Sequence, residues 1–286
     1  MAVKNYPGMG CLRDLPDFRD YTLSTPEVKE ILAKSKRLKA AKKVLPTQID
    51  LREWCSPIED QGYLGSCTAQ AGIGLLEYFQ RRAFGKHLDG SRLFLYKATR
   101  QLLGWAFYGD TGAFIRTTMK AMVLFGVPPE AYWPYDIERF NEDPSAFCFA
   151  YAQNYKTIRY FRLDPPGVKG KETLENVKTL LAANIPAMFG FVVFSSMPRV
   201  GEGTGDIPYP LPGDALEGGH ALVAVGYDDE RQIGDNTGAL LVRNSWSDLW
   251  GEEGYGWLPY SYVQLGLAYD FWSLVQAEFV DSDLFE

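Results

Sequence analysis

Near residue 185 the apolar pattern of this chain changes period, and that change limits the fold more than any other feature. Before it, apolar residues recur at helical spacing. Ala71, Leu75, Leu76 and Phe79 mark a helix from Cys67 to Arg82, and further helices are predicted over 91–102, 113–125 and 171–184. After it come strand-length runs at Ala187–Phe194, Ala221–Tyr227, Gly238–Asn244, Gly254–Pro259 and Ala268–Glu278. A helical first half followed by a β-rich second half points to an α+β fold. No internal repeat or low-complexity tract interrupts it.

At 286 residues and 46% hydrophobic, the chain can bury the core of one or two domains. A net charge of −7 argues against nucleic acid and anionic membrane surfaces as partners. No apolar run approaches the roughly 18 residues a spanning helix needs, so no membrane span is expected. The first twenty residues carry charges throughout and do not read as a signal peptide, which makes the cytoplasm the expected compartment. Four cysteines do not make a disulfide scaffold. Cys11, Cys55 and Cys148 show no metal-ligand spacing, so neither a metal nor another cofactor is expected. Cys55 and Cys148 read as small buried hydrophobes, with their pairing to each other left open.

Residues 1–44 differ from the rest. A turn-rich stretch from Gly8 to Tyr21 precedes a helix opened by Thr25 as cap and Pro26 at the first turn, with Val28, Ile31, Leu32 and Leu38 as a weak apolar stripe. A basic run, Lys34 to Lys43, ends just before Leu45. Two readings stay open for this segment: a solvated extension, or a short inhibitory pro-segment whose early part lies in a cleft and whose basic linker is cut for release. A weaker corollary of the second brings Cys11 near Cys67.

Four residues carry the chemistry. Gln61 and Cys67 sit in Asp60-Gln-Gly-Tyr-Leu-Gly-Ser-Cys-Thr-Ala69, His220 in Gly218-Gly-His-Ala221, and Asn244 in Arg243-Asn-Ser-Trp-Ser-Asp-Leu-Trp250. A cysteine becomes a nucleophilic catalyst once it has a base, an orienter for that base and an oxyanion donor. The chain has two histidines, and His87 lies in a polar turn, which leaves His220 as the candidate base. Cys67 opens a predicted helix, where the macrodipole favours a thiolate, and a nearby imidazolium would favour it further. Asn244 would fix the ring of His220, with Trp246 and Trp250 shielding that bond. Gln61 and the Cys67 backbone N–H would supply the oxyanion donors.

These segments resemble those of the papain-like cysteine peptidases, in the family's order of Gln, Cys, His and Asn. Leu45-Pro-Thr-Gln-Ile-Asp-Leu-Arg52, Glu130-Ala-Tyr-Trp-Pro-Tyr135 and Ala183-Asn-Ile-Pro-Ala-Met-Phe189 extend the resemblance over about residues 45–280. It implies a two-lobed fold: a helical left lobe whose central helix carries the nucleophile, and an antiparallel, β-barrel-like right lobe. It also implies a 45–286 peptidase domain that hydrolyses peptide or protein substrates through an acyl-enzyme, and substrate-binding walls at Thr111, Gly112, Gly190 and Gly219. Alternatives are a transpeptidase or ligase using the same thioester, and an idle binding domain, which would be expected to lack one of the four residues.

The chain also departs from the pattern. Leu64 stands where the family has a disulfide-forming cysteine, Thr68 where an aromatic is usual, and Ser247 where glycine is common. The Cys67–His220 and Cys67–Asn244 separations of 153 and 177 residues exceed the family's usual span of about 130–150. The excess is assigned to surface insertions near 195–218 and 228–238.

Overall fold

The computed structural model describes residues 8–155 and 159–275. Its first half carries β1 (Cys11–Leu12), α1 (Pro26–Leu32), α2 (Lys36–Ala41), β2 (Gln48–Asp50), α3 (Cys67–Phe84), α4 (Arg92–Leu102), β3 (Ala113–Phe114), α5 (Ile115–Phe125) and α6 (Ala146–Ala152). Then follow β4 (Arg159–Arg162), α7 (Gly170–Ala182), β5 (Ala187–Phe194), β6 (Leu216–Ile233), β7 (Asn236–Arg243), β8 (Tyr255–Pro259), α8 (Tyr260–Gln264) and β9 (Ala268–Val275). The predicted strand at 268–278 is thus seen to Val275, and its last three residues lie outside the described ones.

This is the papain-like arrangement of helices beside a mostly antiparallel sheet. The sheet runs β4-β9-β5-β6-β7-β8, with β2 added to β6. Its ends at β4 and β8 do not pair, so the β half is an open sheet and not a closed barrel. Buried side chains from α3, α4, α5 and the sheet form one continuous core. α3 is buried over most of its length, and its interior glycines permit that. A Cβ on Gly72 would press on Met122 and Thr118 of α5, and one on Gly74 would lie 2.9 Å from Arg243 Nε. The roughly 1 kcal/mol that each glycine costs a helix is offset by this close approach.

Three expectations need correction, and the stretch 228–238 takes the form of a surface hairpin. Its residues continue β6 and begin β7, paired through Gln232↔Thr237 and Ile233↔Asn236 around a Gly234–Asp235 tip. His220 does not start a strand, because β6 already begins at Leu216. Residues 113–114 are strand, not helix, because they pair in parallel with Cys11–Leu12. Pro26 does open α1, but Thr25 makes no side-chain cap; its hydroxyl accepts instead from the Thr22 N–H at 2.9 Å.

The β2–β6 junction seats the start of the peptidase region on the sheet, and it is tight. A Cβ on Gly226 would overlap the Ile49 carbonyl. Gly226→Ala is therefore expected to lower unfolding free energy by about 1–3 kcal/mol in chemical denaturation, whereas an unchanged midpoint would show that β2 is loosely held.

Candidate active site

Cys67 is the first residue of α3, and Ser66 ahead of it leaves the helical conformation without capping it. The Ser66 hydroxyl pairs instead with Tyr135 OH at 2.6 Å, and Tyr135 OH donates to the Gln61 carbonyl at 3.0 Å. The loop before the helix is thereby fixed without the disulfide that Leu64 has removed. Backbone N–H groups of Thr68, Ala221 and Gly10 point at the Cys67 sulfur. Ala221 follows His220 in β6, so the two candidate catalytic residues meet where the helix N-terminus abuts the sheet.

His220 Nε2 lies 2.8 Å from Asn244 Oδ1. That oxygen can only accept, so the ring carries its proton on Nε2 and leaves Nδ1 with its lone pair. Nδ1 is buried and has no hydrogen-bond partner among the described residues. The ring stacks on Trp246, with centroids 4.6 Å apart and planes at 29°, and Trp250 meets Trp246 edge-on. Trp246 thus covers one face of the ring, and Trp250 backs Trp246.

Gln61 is fully buried and held at both ends of its amide. Its Oε1 accepts from Ser245 Oγ at 2.7 Å, and its Nε2 donates to the carbonyls of Leu64 at 3.0 Å and Gly8 at 2.8 Å. The Asn-Ser-Trp run thus serves three neighbours in succession: Asn244 the imidazole, Ser245 the Gln61 amide, and Trp246 the ring face. Ser245 was present in the sequence motif, but its role needed the long-range contact to be seen.

The walls are lined by glycine because a chain passes between them. Residues 8–12 run along the cleft, with the Gly10 carbonyl accepting from Ala113 N–H at 2.7 Å. A Cβ on Gly112 would overlap the Gly10 carbonyl, and one on Gly219 would overlap the Cys11 carbonyl. A Cβ on Gly190 would lie 2.8 Å from Cys11 Sγ. Gly112, Gly190 and Gly219 thus line the path of residues 8–12. Thr111 is different: its hydroxyl accepts from Arg100 Nε at 3.4 Å and donates to the Gly112 carbonyl at 3.1 Å, bracing its own loop.

Asp110 and Tyr96, which sequence reasoning did not single out, tie two of these walls together. Asp110 accepts from Gly65 N–H at 2.7 Å and from Tyr96 OH, while Tyr96 OH accepts from Gly112 N–H at 3.0 Å. Tyr269 is the other omission, and nothing in its local sequence marks it. All four cysteines are free, so Cys55 and Cys148 are not paired with each other.

With the segment in the cleft, burial decides the charge state. It pushes the Cys67 thiol up to about 11, against the lowering effect of three N–H groups. It also pushes His220 down to about 4, with Asn244 opposing. The ion pair expected from sequence is therefore absent in this closed arrangement, because both charged forms would lose their water.

A model of the papain family of cysteine proteases matches residues 45–270. An uncharacterized peptidase C1-like protein of Acanthamoeba polyphaga mimivirus is 33% identical over 272 residues, 92% of this chain and 85% of that one. A cathepsin L-like proteinase of Fasciola hepatica is 26% identical over 245 residues, 82% of this chain and 67% of its own. Among solved structures, xylellain, a cysteine protease from Xylella fastidiosa, is similar at a TM-score of 0.74 and 34% identity, over 96% of this chain and 99% of that one. A procathepsin B of Trypanosoma congolense shares the fold at a TM-score of 0.64 and 17% identity, over 94% and 87% of the two chains.

Ring-nitrogen NMR of the intact chain should show His220 neutral, with its proton on Nε2, from pH 8 down to about 5, and protonating only near 4. A His220 signal that titrates near its ordinary value would contradict the water-excluded site.

Proposed function

Because the chain belongs to the papain family of cysteine proteases, and is thus a thiol-dependent peptide hydrolase, we propose that it cleaves peptide bonds through Cys67 and is made as a self-blocked precursor. The observation that carries the first part is the His220 ring, fixed by Asn244 through Nε2 with Nδ1 left free to take a proton.

In the open site, His220 Nδ1 takes the Cys67 thiol proton, and the sulfur attacks the substrate carbonyl carbon. The carbonyl electrons move onto oxygen, where Gln61 Nε2–H and the Cys67 backbone N–H receive the charge. Collapse breaks the C–N bond, His220 returns its proton to the leaving amine, and a thioester remains. Water then adds to the thioester with His220 taking its proton, the C–S bond breaks, His220 returns the proton to the Cys67 sulfur, and the carboxylic acid departs. Asn244 holds the same ring tautomer throughout.

Self-blocking is supported by how the segment meets the site. Gly8 places its carbonyl on Gln61 Nε2, so the oxyanion donor is occupied. At the sulfur the segment brings up the Gly10 N–H. A Cβ on Gly10 would overlap the Gly65 backbone, which explains the glycine. Further along, Arg116 clamps the segment. It holds Asp20 through Nε at 2.8 Å and Nη2 at 2.7 Å, Asp14 through Nη1 at 3.3 Å, and the Leu15 carbonyl at 2.8 Å. Beyond the clamp, Val28, Leu32 and Leu38 bury the stripe of α1 and α2. The exposed Lys42 and Lys43, which follow α2 at the end of the basic run, are then the place for release.

The clamp gives the closure a pH dependence. Burial, and then the neighbouring Asp270, push the Asp14 carboxyl up to about 7 when docked. A freed segment would return Asp14 to an ordinary carboxylate, so docking takes up a proton and tightens as pH falls through 7. The Cys67–His220 pair does not oppose this near neutrality, because the closed neutral pair and the open ion pair carry the same single proton.

Cys67→Ala is expected to abolish peptide turnover with the melting curve unchanged, and Gln61→Ala to cost about 100- to 1000-fold in kcat. Retained turnover in the first would refute the nucleophile assignment. Limited proteolysis in the basic linker should raise peptidase activity, and the residual activity of the uncut chain relative to the cut one should be smaller at pH 6.5 than at pH 8. Equal activity before and after cutting would refute self-blocking.

A further inference from the structure

We infer that Tyr269 restricts the side-chain pocket beside Gly190 to small residues, and so sets which peptides the enzyme prefers; this rests on the peptidase reading above. The restriction begins with a strand irregularity. β5 and β9 pair as Met188↔Trp272 and then Gly190↔Tyr269, so two steps on one strand match three on the other. The surplus residue, Asp270, is left-handed at φ +55°. A bulge of this kind re-aims the side chain next to it.

The bulge is held on all sides. Asp164 accepts from the N–H groups of Asp270 at 2.8 Å and Phe271 at 3.1 Å. Arg162 Nη2 donates to Asp270 Oδ1 at 2.5 Å. The result is a tyrosine ring laid over two glycines. A Cβ on Gly190 would lie 2.7 Å from Tyr269 Cε2, and one on Gly219 would lie 2.9 Å from its hydroxyl. Neither position tolerates a side chain while the ring is there.

The cleft segment shows what the remaining space takes. Cys11 lies between the same two glycines and the ring, and it is 5% exposed. One methylene and one sulfur therefore occupy a site whose floor is closed by Tyr269, with Arg13 stacked on the ring at 5.0 Å from its centroid. A leucine or phenylalanine placed there would have to displace a ring fixed by the stapled bulge. Alanine, serine or cysteine would not.

The test is a fluorogenic peptide library, varied one position at a time on the N-terminal side of the cleaved bond, given to the chain after release of its N-terminal segment. At one position, small side chains should give kcat/KM at least about 10-fold above leucine and phenylalanine. Tyr269→Ala should raise leucine and phenylalanine substrates about 10-fold or more at that position, with small-residue substrates changed far less. Tyr269→Phe should keep the wild-type preference. Tyr269→Leu provides the same readout should the alanine variant fail to fold. Peptide turnover with large side chains accepted everywhere, or with the preference unmoved by loss of the ring, would overturn the inference and leave the peptidase standing. No peptide turnover by the wild-type chain would overturn both.

Discussion

The N-terminus of α3 touches the sheet where the Ala221 N–H reaches the Cys67 sulfur, and the rest of the site depends on that contact. It also explains why β6 must be long and central: its register with β5 sets His220 opposite Phe191, and its register with β7 brings Arg243, and with it Asn244, alongside. The glycines of α3 let the helix sink deep enough for this to happen. Gln61 and Ser245 then tie the loop before the helix to the turn after β7, so Gln61 and Asn244 share one scaffold.

Desolvation outweighs the helix field in the closed chain. A helix N-terminus favours an anion by about 0.3–1 kcal/mol, and by about 2 kcal/mol at most. Burial can move an ionisable group by as much as 3–5 pK units, at about 1.4 kcal/mol per unit. The direction found for both Cys67 and His220 follows from that inequality. The activating features are built in, but they act only when water and the partner charge return. The same segment that blocks the donor and the sulfur therefore also keeps the pair neutral, so physical blockage and chemical quiescence have one cause.

Much of this was legible in the sequence because its signals are local. Cys67 opening a helix and the strand after Pro186 depend on neighbours a few residues away, whereas the order of the four polar residues and the glycines at 112, 190 and 219 came from the family resemblance. What escaped depends on pairs far apart in the chain. Arg116 meets Asp14 and Asp20 across about a hundred residues, Ser245 meets Gln61 across 184, and Tyr269 reaches its place through a bulge that no propensity encodes. The hairpin at 228–238 was not seen as strand because its glycine- and aspartate-rich composition resembles a loop, while its pairing partner lies just beyond a two-residue tip. The closed chain favours the neutral forms of Cys67 and His220 because the segment excludes the solvent an ion pair needs.

The central claim is that residues 8–12 hold Cys67 as a buried neutral thiol whose activation follows their removal. The rate of Cys67 alkylation by iodoacetamide against pH, followed by mass spectrometry on the intact chain and on the chain cut in its basic linker, tests it most directly. The account predicts negligible modification of Cys67 in the intact chain at neutral pH, and fast modification extending well below pH 7 after cutting. Matching profiles in the two forms, or rapid modification of the intact chain in acid, would contradict it.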